Sequence, residues 1–261
     1  MKTMSASNFT GLRKAFHERQ PLLTTFSIIP SLELIDLIGA AGFDGVILDM
    51  EHSSYERSSI AGALLAARAR GMRAIVRVPD GTASTIQAVL DLGADGVLAP
   101  QIESAEAAKE IVAAARYAPE GRRGVNPWVR SADYAGGPEY FEAANHSVGV
   151  LVMVESAQSL EHLSAILEVD GLDGIFIGPA DLSSSLGHPG NPTHPDVVEA
   201  MNSAIEKGLS AGRMVGAFAA TPERAHELQR RGVSLVGLSE DTNIIYRSYT
   251  ALLEAARTSK S

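Results

Sequence analysis

The chain of 261 residues contains no cysteine. That excludes disulfides, thiolate nucleophiles and cysteine-based zinc or iron–sulfur centres, and restricts any metal to oxygen or imidazole ligands. Lysine is scarce, at Lys2, Lys14, Lys109, Lys207 and Lys260 only, and none falls in a strand-like stretch. A Schiff-base mechanism, which needs an amine inside the fold, is therefore disfavoured. Positive charge is in deficit, with a net charge of −9. This argues against a nucleic-acid footprint and suits a protein that handles small molecules. No run approaches the roughly 18 apolar residues of a membrane span. Residues 1–20 are polar and lack the apolar segment of a signal peptide, so a cytoplasmic location is expected. No glycine-rich nucleotide loop of the GxGxxG or GxxxxGK[ST] type follows a strand-like run.

What is present is alternation. Short apolar runs at residues 22–29, 46–48, 74–78, 95–99, 148–154, 174–177, 214–218 and 234–238 alternate with helical patterns. Apolar runs without polar alternation suit parallel strands covered on both faces. Helices are expected over residues 55–70, 82–92, 104–117, 157–169, 195–210, 222–231 and 241–257, and one begins near Leu32. The segments "AAGFDGVIL", "DLGADGVLA" and "VDGLDGIFI" share one form: a helix end, a glycine stop, Asp-Gly, then a strand. Eight strands in this rhythm predict a single-domain (β/α)8 TIM barrel over residues 21–261, preceded by a polar leader, residues 1–20, with a short helix around 12–17. An open doubly wound sheet is the rival. Two long connections, residues 118–137 and 179–194, are candidate binding loops.

In an α/β barrel, chemistry gathers at the carboxyl ends of the strands. There the sequence puts Asp49, Glu51 and His52 after strand two, Arg77 after strand three, Glu155 after strand five, Asp181 after strand six, and Glu240 and Asp241 after strand eight. His52, oriented by Asp49, is the candidate for proton transfer. Glu155 and Asp181 would repel each other unless one is protonated or a cation lies between them. With oxygen ligands that cation would be Mg2+ or Mn2+, or else Co2+, in an open site able to act as a Lewis acid on a 2-oxo acid. Structural readings stand beside these. Asp181 can cap a helix, Glu155 can pair with a surface arginine, Arg77 can serve a buried ion pair and His52 can be structural. His188 and His194 read as solvated loop residues. Arg122 and Arg123 read as a salt bridge or as contacts to a distal acid group, and Trp128 could wall the mouth.

The segments "FDGVILDMEH", "AIVRVP", "DLGADGVLAPQIESAEAAKEIVAAARYAPEGRRG", "VMVES" and "IFIGPADLSSSLG" resemble the HpcH/HpaI aldolase family, metal-dependent class II pyruvate aldolases, from about residue 22 to 238. The resemblance implies that Glu155 and Asp181 hold the divalent metal, and that His52 is the catalytic histidine with Asp49 its paired aspartate. It implies further that Arg77 contacts the oxo oxygen, and that the backbone around Ala180 and Asp181 holds the pyruvate carboxylate. The partners implied are a 2-oxo acid and an aldehyde, and the assembly a homohexamer, a trimer of dimers with the last helix exchanged between subunits. Two rivals share this chemistry, an oxaloacetate-type decarboxylase and an acyl-CoA lyase of the citrate-lyase-β type. A non-catalytic 2-oxo-acid sensor is the rival of another class. The chain departs from the pattern at Met153, where the family usually carries glutamine, and in the opening "LLTTFSIIPS".

Overall fold

The computed structural model describes residues 11–18 and 21–258. Eight parallel strands run in chain order, β1 (Leu22–Ser27), β2 (Gly45–Asp49), β3 (Arg73–Arg77), β4 (Gly96–Ala99), β5 (Gly149–Val154), β6 (Gly174–Ile177), β7 (Met214–Ala219) and β8 (Leu235–Glu240). Each pairs with the next, and β8 closes on β1. This is the expected (β/α)8 barrel. No helix among the described residues is long and apolar enough to cross a membrane.

The Asp-Gly repeat has a structural purpose. The Asp44 carboxylate accepts the Leu23 N–H at 2.8 Å, Asp95 that of Ala74 at 2.8 Å, and Asp173 that of Val150 at 2.8 Å. Each aspartate thereby pins the amino end of the strand before it. The glycine that follows lets the next strand approach: a Cβ at Gly45, Gly96 or Gly174 would fall under 3.0 Å from a carbonyl oxygen of Arg73, Gly149 or Met214. One dipeptide thus fixes both neighbours of β2, β4 and β6.

Outward-facing Val, Ile and Ala of the strands pack against the helices, while Phe26, Ile47, Ile75, Leu98, Leu151, Met153, Phe176 and Leu235 fill the barrel. Helix α1 (Leu12–His17) closes the amino end, with Leu12, Ala15 and Phe16 buried in that inner cluster. The rest of the expected leader, residues 1–10 and 19–20, lies outside the described residues. The plug is tied down by charge. Asp173 receives Arg13 Nε at 2.7 Å and Arg116 Nη2 at 2.9 Å. Removing this carboxylate would leave Arg116, 1% exposed, without its anion. Asp173→Ala should therefore cost about 3–5 kcal/mol in a guanidinium unfolding titration; a loss below about 1 kcal/mol would show the network to be dispensable.

The helices around the barrel are α2 (Leu32–Ala40), α3 (Arg57–Ala69), α4 (Ala83–Asp91), α5 (Ala105–Ala115), α6 (Pro138–Ser147), α7 (Ala157–Glu161), α8 (Leu163–Leu167), α9 (Pro179–Ser185), α10 (Pro195–Ser210), α11 (Pro222–Arg230) and α12 (Asp241–Thr258). Three differ from the sequence reading. The expected helix 157–169 breaks at His162 into α7 and α8. Helix α9 occupies the first half of what reads as a loop, its Pro179 at the first helical position where the missing N–H costs nothing. Helix α6 follows a segment whose prolines and glycines hide it. That segment, residues 118–137, also leads from a helix towards a strand, so it belongs to the amino end of the barrel and not to the mouth. Arg123, Ser131 and Asp133 there border Met72, Ala94 and Val148. Arg122 pairs with Glu110, Arg123 with Asp91 at 2.6 Å, and Trp128 is exposed. None of these lies among the residues at the carboxyl ends of this chain's strands.

Candidate active site

Strand β2 ends in Asp49, which is fully buried, and β3 ends in Arg77 in register with it. The two form a forked ion pair, Arg77 Nε to Asp49 Oδ1 at 2.8 Å and Nη2 to Oδ2 at 2.6 Å. Asp49 Oδ1 also accepts the backbone N–H of Glu51 at 2.9 Å and of His52 at 3.4 Å. The expected pairing of Asp49 with the His52 imidazole is thus not what the fold builds. Asp49 orients the turn that carries His52, and its side chain belongs to Arg77. The acid nearest the ring is Glu51, with Oε2 3.9 Å from His52 Nε2. The third guanidinium nitrogen, Arg77 Nη1, lies 3.3 Å from Glu51 Oε2 and 3.9 Å from Met153 Sδ. The Arg77 guanidinium also lies 5.2 Å from the centre of the Phe26 ring.

Glu155, at the end of β5, is buried, and its Oε1 accepts the Gln101 N–H at 2.7 Å. Gln101 is held at φ +57°, an uncommon conformation for a side-chain-bearing residue, and this aims its N–H into the site. Glu155 Oε2 faces Gly178, where a Cβ would sit only 3.1 Å away. Burial, above all, pushes the Glu155 carboxyl up to about 7, and the charges of Glu51 and Asp181 add to the rise. Asp181, on the first turn of α9, is exposed and lines with Ala180, His52 and Arg77 a cavity of about 230 Å³. Phe26, Phe176 and Phe218 make its apolar wall, with Phe26 5.7 Å from Phe176 and 5.9 Å from Phe218, centre to centre. The fold therefore brings all the candidate residues, Asp49, His52, Arg77, Glu155, Ala180 and Asp181, to one mouth.

The HpcH/HpaI aldolase/citrate lyase family profile matches residues 24–247. The chain belongs to this family. A 4-hydroxy-2-oxovalerate aldolase of Rhodococcus jostii is 35% identical over 94% of the chain and 95% of its own length. A 2-keto-3-deoxy-L-rhamnonate aldolase of Salmonella gallinarum is 37% identical over 85% of the chain and 82% of its own length. A solved structure of a family protein from Burkholderia cenocepacia superposes with a TM-score of 0.89 at 32% identity, covering 94% of this chain and 98% of that one. Like the aldolases it is similar to, this family member is a carbon–carbon lyase.

The donor set of this family member fits a divalent cation. Glu155 faces two further carboxylates, Glu51 and Asp181, and one guanidinium, Arg77, that is already neutralised by Asp49. Glu51 Oε2 is buried with no hydrogen-bond donor, and Gly178 keeps open the space beside Glu155 Oε2. Two members of this arrangement escaped the sequence reading. Glu51 stands at a strand end but has no assigned role there. Gln101 follows Pro100 at the end of β4, and only that position signals it. Outside the cavity lining, His188 and His194 stack at 3.5 Å between ring centres and face Asp196 at the start of α10, instead of lying loose in solvent.

Proposed function

We propose that the protein is a divalent-metal-dependent, cytoplasmic aldolase that reversibly cleaves a 4-hydroxy-2-oxo acid into pyruvate, or a close 2-oxo acid, and an aldehyde. The observation that carries this reading is the excess of acid at the mouth, with Glu155 driven towards neutrality unless a cation replaces its proton. Glu155 and Asp181 would hold Mg2+ or Mn2+, or else Co2+. The bound ion would supply Lewis-acid polarisation of the 2-oxo group.

The protein's own groups account for the rest. Pro179 has no N–H, so Ala180 and Asp181 are the first backbone donors of α9 and suit the substrate carboxylate. Arg77, fixed on two sides by Asp49, directs Nη1 at the charge that develops on the 2-oxo oxygen as the C3–C4 bond breaks. His52, exposed at the rim beside Glu51, takes the proton of the 4-hydroxyl as the C3–C4 electron pair passes into the enolate and the aldehyde forms; the enolate C3 then takes up a proton to give pyruvate, and the reverse reaction runs these transfers backwards. Met153 can accept only weakly through sulfur, so Arg77 Nη1 keeps a donor free for substrate.

The decisive measurement is pyruvate release from a panel of 4-hydroxy-2-oxo acids, with chelator and with each metal restored. Cleavage should vanish with EDTA and return with Mg2+ or Mn2+. Cleavage that survives exhaustive chelation would refute the metal site. No cleavage with any metal, together with CO2 release from oxaloacetate, would move the assignment to a decarboxylase.

Assembly is part of the proposal. Helix α12 leaves Ile244, Tyr246, Tyr249, Leu252 and Leu253 exposed. An apolar set this large on one helix suits burial against another subunit. A homohexamer built as a trimer of dimers, with α12 exchanged, is expected from the family resemblance. A monomeric mass in light scattering would reject it.

A further inference from the structure

Strand β8 departs from regular pairing where it meets the cavity. Leu235 faces the barrel interior, and a Cβ on Gly237 would strike the Phe26 ring at 2.7 Å, so that position faces inward too. Leu238 packs against the outer layer. Plain alternation would then turn residue 239 inward and Glu240 outward. Instead Thr24 of β1 stands opposite Gly237, while Phe26 stands opposite Glu240, so three residues of β8 advance against two of β1. Ser239 absorbs the extra residue at φ +55°. This is a β-bulge, a device that re-aims a side chain at the rim of a barrel. Its result is that Glu240 lines the cavity.

The bulge is held on both sides. Thr25 Oγ1 donates to the Ser239 carbonyl at 3.2 Å, and Asn243 Nδ2 donates to Ser239 Oγ at 3.1 Å. Asp241 is buried, and its Oδ2 accepts from Ser27 Oγ at 3.0 Å and from the N–H groups of Ile28 at 2.9 Å and Ile29 at 3.1 Å. The Glu240 carboxylate itself meets no donor and no cation among the described residues. Its neighbours along the wall are Phe26, Phe176 and Phe218.

We propose that Glu240 is a specificity-determining residue that makes the aldehyde end of the cavity accept neutral hydroxylated aldehydes and reject aldehydes carrying a second anionic group. The proposal rests on the aldolase reading. A fixed carboxylate with free lone pairs accepts hydrogen bonds from hydroxyl groups. An anionic tail would face Glu240 across an apolar wall, with the one guanidinium of the cavity forked onto Asp49 and turned to the 2-oxo oxygen and Asp181 taken up in holding the metal. The aromatic wall strengthens that repulsion, because it replaces water as the medium between the charges.

The test compares kcat/KM for addition of pyruvate to glyceraldehyde, butanal and succinic semialdehyde in the metal-loaded wild-type enzyme and in Glu240→Gln and Glu240→Ala. Ratios between aldehydes within one preparation cancel differences in folded fraction. In both variants the succinic semialdehyde to butanal ratio should rise at least about tenfold, the scale of a like-charge contact removed. The glyceraldehyde to butanal ratio should fall, more in Glu240→Ala than in Glu240→Gln. Ratios that stay within twofold of wild type in both variants overturn the role of Glu240. Exchange of the pyruvate methyl protons with deuterated solvent by the wild-type enzyme separates the two ideas. Exchange with unchanged ratios overturns Glu240 alone, whereas no exchange with any metal overturns the aldolase reading and this proposal with it.

Discussion

Arg77→Lys is expected to lower kcat by about 10²–10³-fold, although it keeps the positive charge. Arg77 makes two kinds of contact at once. Nε and Nη2 fill both oxygens of Asp49, at 2.8 and 2.6 Å, while Nη1 points to Glu51 and the cavity. An ammonium group is a single point and must choose. If it follows Asp49, buried at the strand end, the developing charge on the 2-oxo oxygen loses its donor. If it follows the cavity, Asp49 loses its fork and with it the anchor of the turn carrying His52. Either way the loss falls in the transition state, so kcat should fall much more than KM rises. Metal affinity should stay within a few-fold, because Glu155 and Asp181 are untouched. Steady-state kinetics with a parallel metal titration checks this, and turnover within tenfold of wild type would remove Arg77 from the mechanism.

The second large effect concerns Glu155 and pH. Its carboxyl is raised to about 7 by burial, with Glu51 and Asp181 adding repulsion and Arg77 opposing it. In the metal-free protein a proton therefore competes with the cation. Below about pH 7 the apparent metal affinity should fall by up to about tenfold per pH unit. Binding at pH 6 should release close to one proton per metal, and at pH 8 almost none. Calorimetry in buffers of different ionisation enthalpy measures that number directly, and proton release that does not change between pH 6 and 8 would reject the competition.

The same shift fixes the sign of a stability effect. The folded protein binds this proton more tightly than the unfolded chain, whose carboxyl titrates near the ordinary value of 4.5. Glu155 therefore costs nothing below pH 4.5. Its penalty grows as pH rises towards 7 and levels off above it at about 3 kcal/mol. Added metal should recover that stability above pH 7 and little of it at pH 5. Glu155→Gln, which cannot ionise, should flatten this dependence and bind metal at least about tenfold more weakly.

Much of this could be read along the chain. The barrel was legible because strand runs and Asp-Gly starts recur, and each depends on local chemistry: a carboxylate for the neighbouring strand's N–H, a glycine where backbones crowd. Arg77, Glu155 and Asp181 stood out because charge directly after an apolar strand has few structural reasons to be there. Helix α6 was hidden by the glycines and prolines before it, and α9 by a Ser-rich composition that reads as loop. The partner of Asp49 was misread for a physical reason. His52 is three residues away in sequence, but the strand register puts Arg77 opposite Asp49, and a guanidinium fork outcompetes an imidazole that the turn carries outward.

The sequence by itself determined the parallel barrel, the lack of any thiol or strand lysine and the cluster of acids at the strand ends, because these follow from residue type and order. Only the tertiary structure decided how those groups share their partners. Closing the sheet set Asp49 against Arg77, twisted Gln101 to aim its N–H at Glu155, and placed an extra residue in β8 that turns Glu240 towards the substrate. Those are consequences of register and strand count around a closed ring, and no local pattern in the chain encodes them.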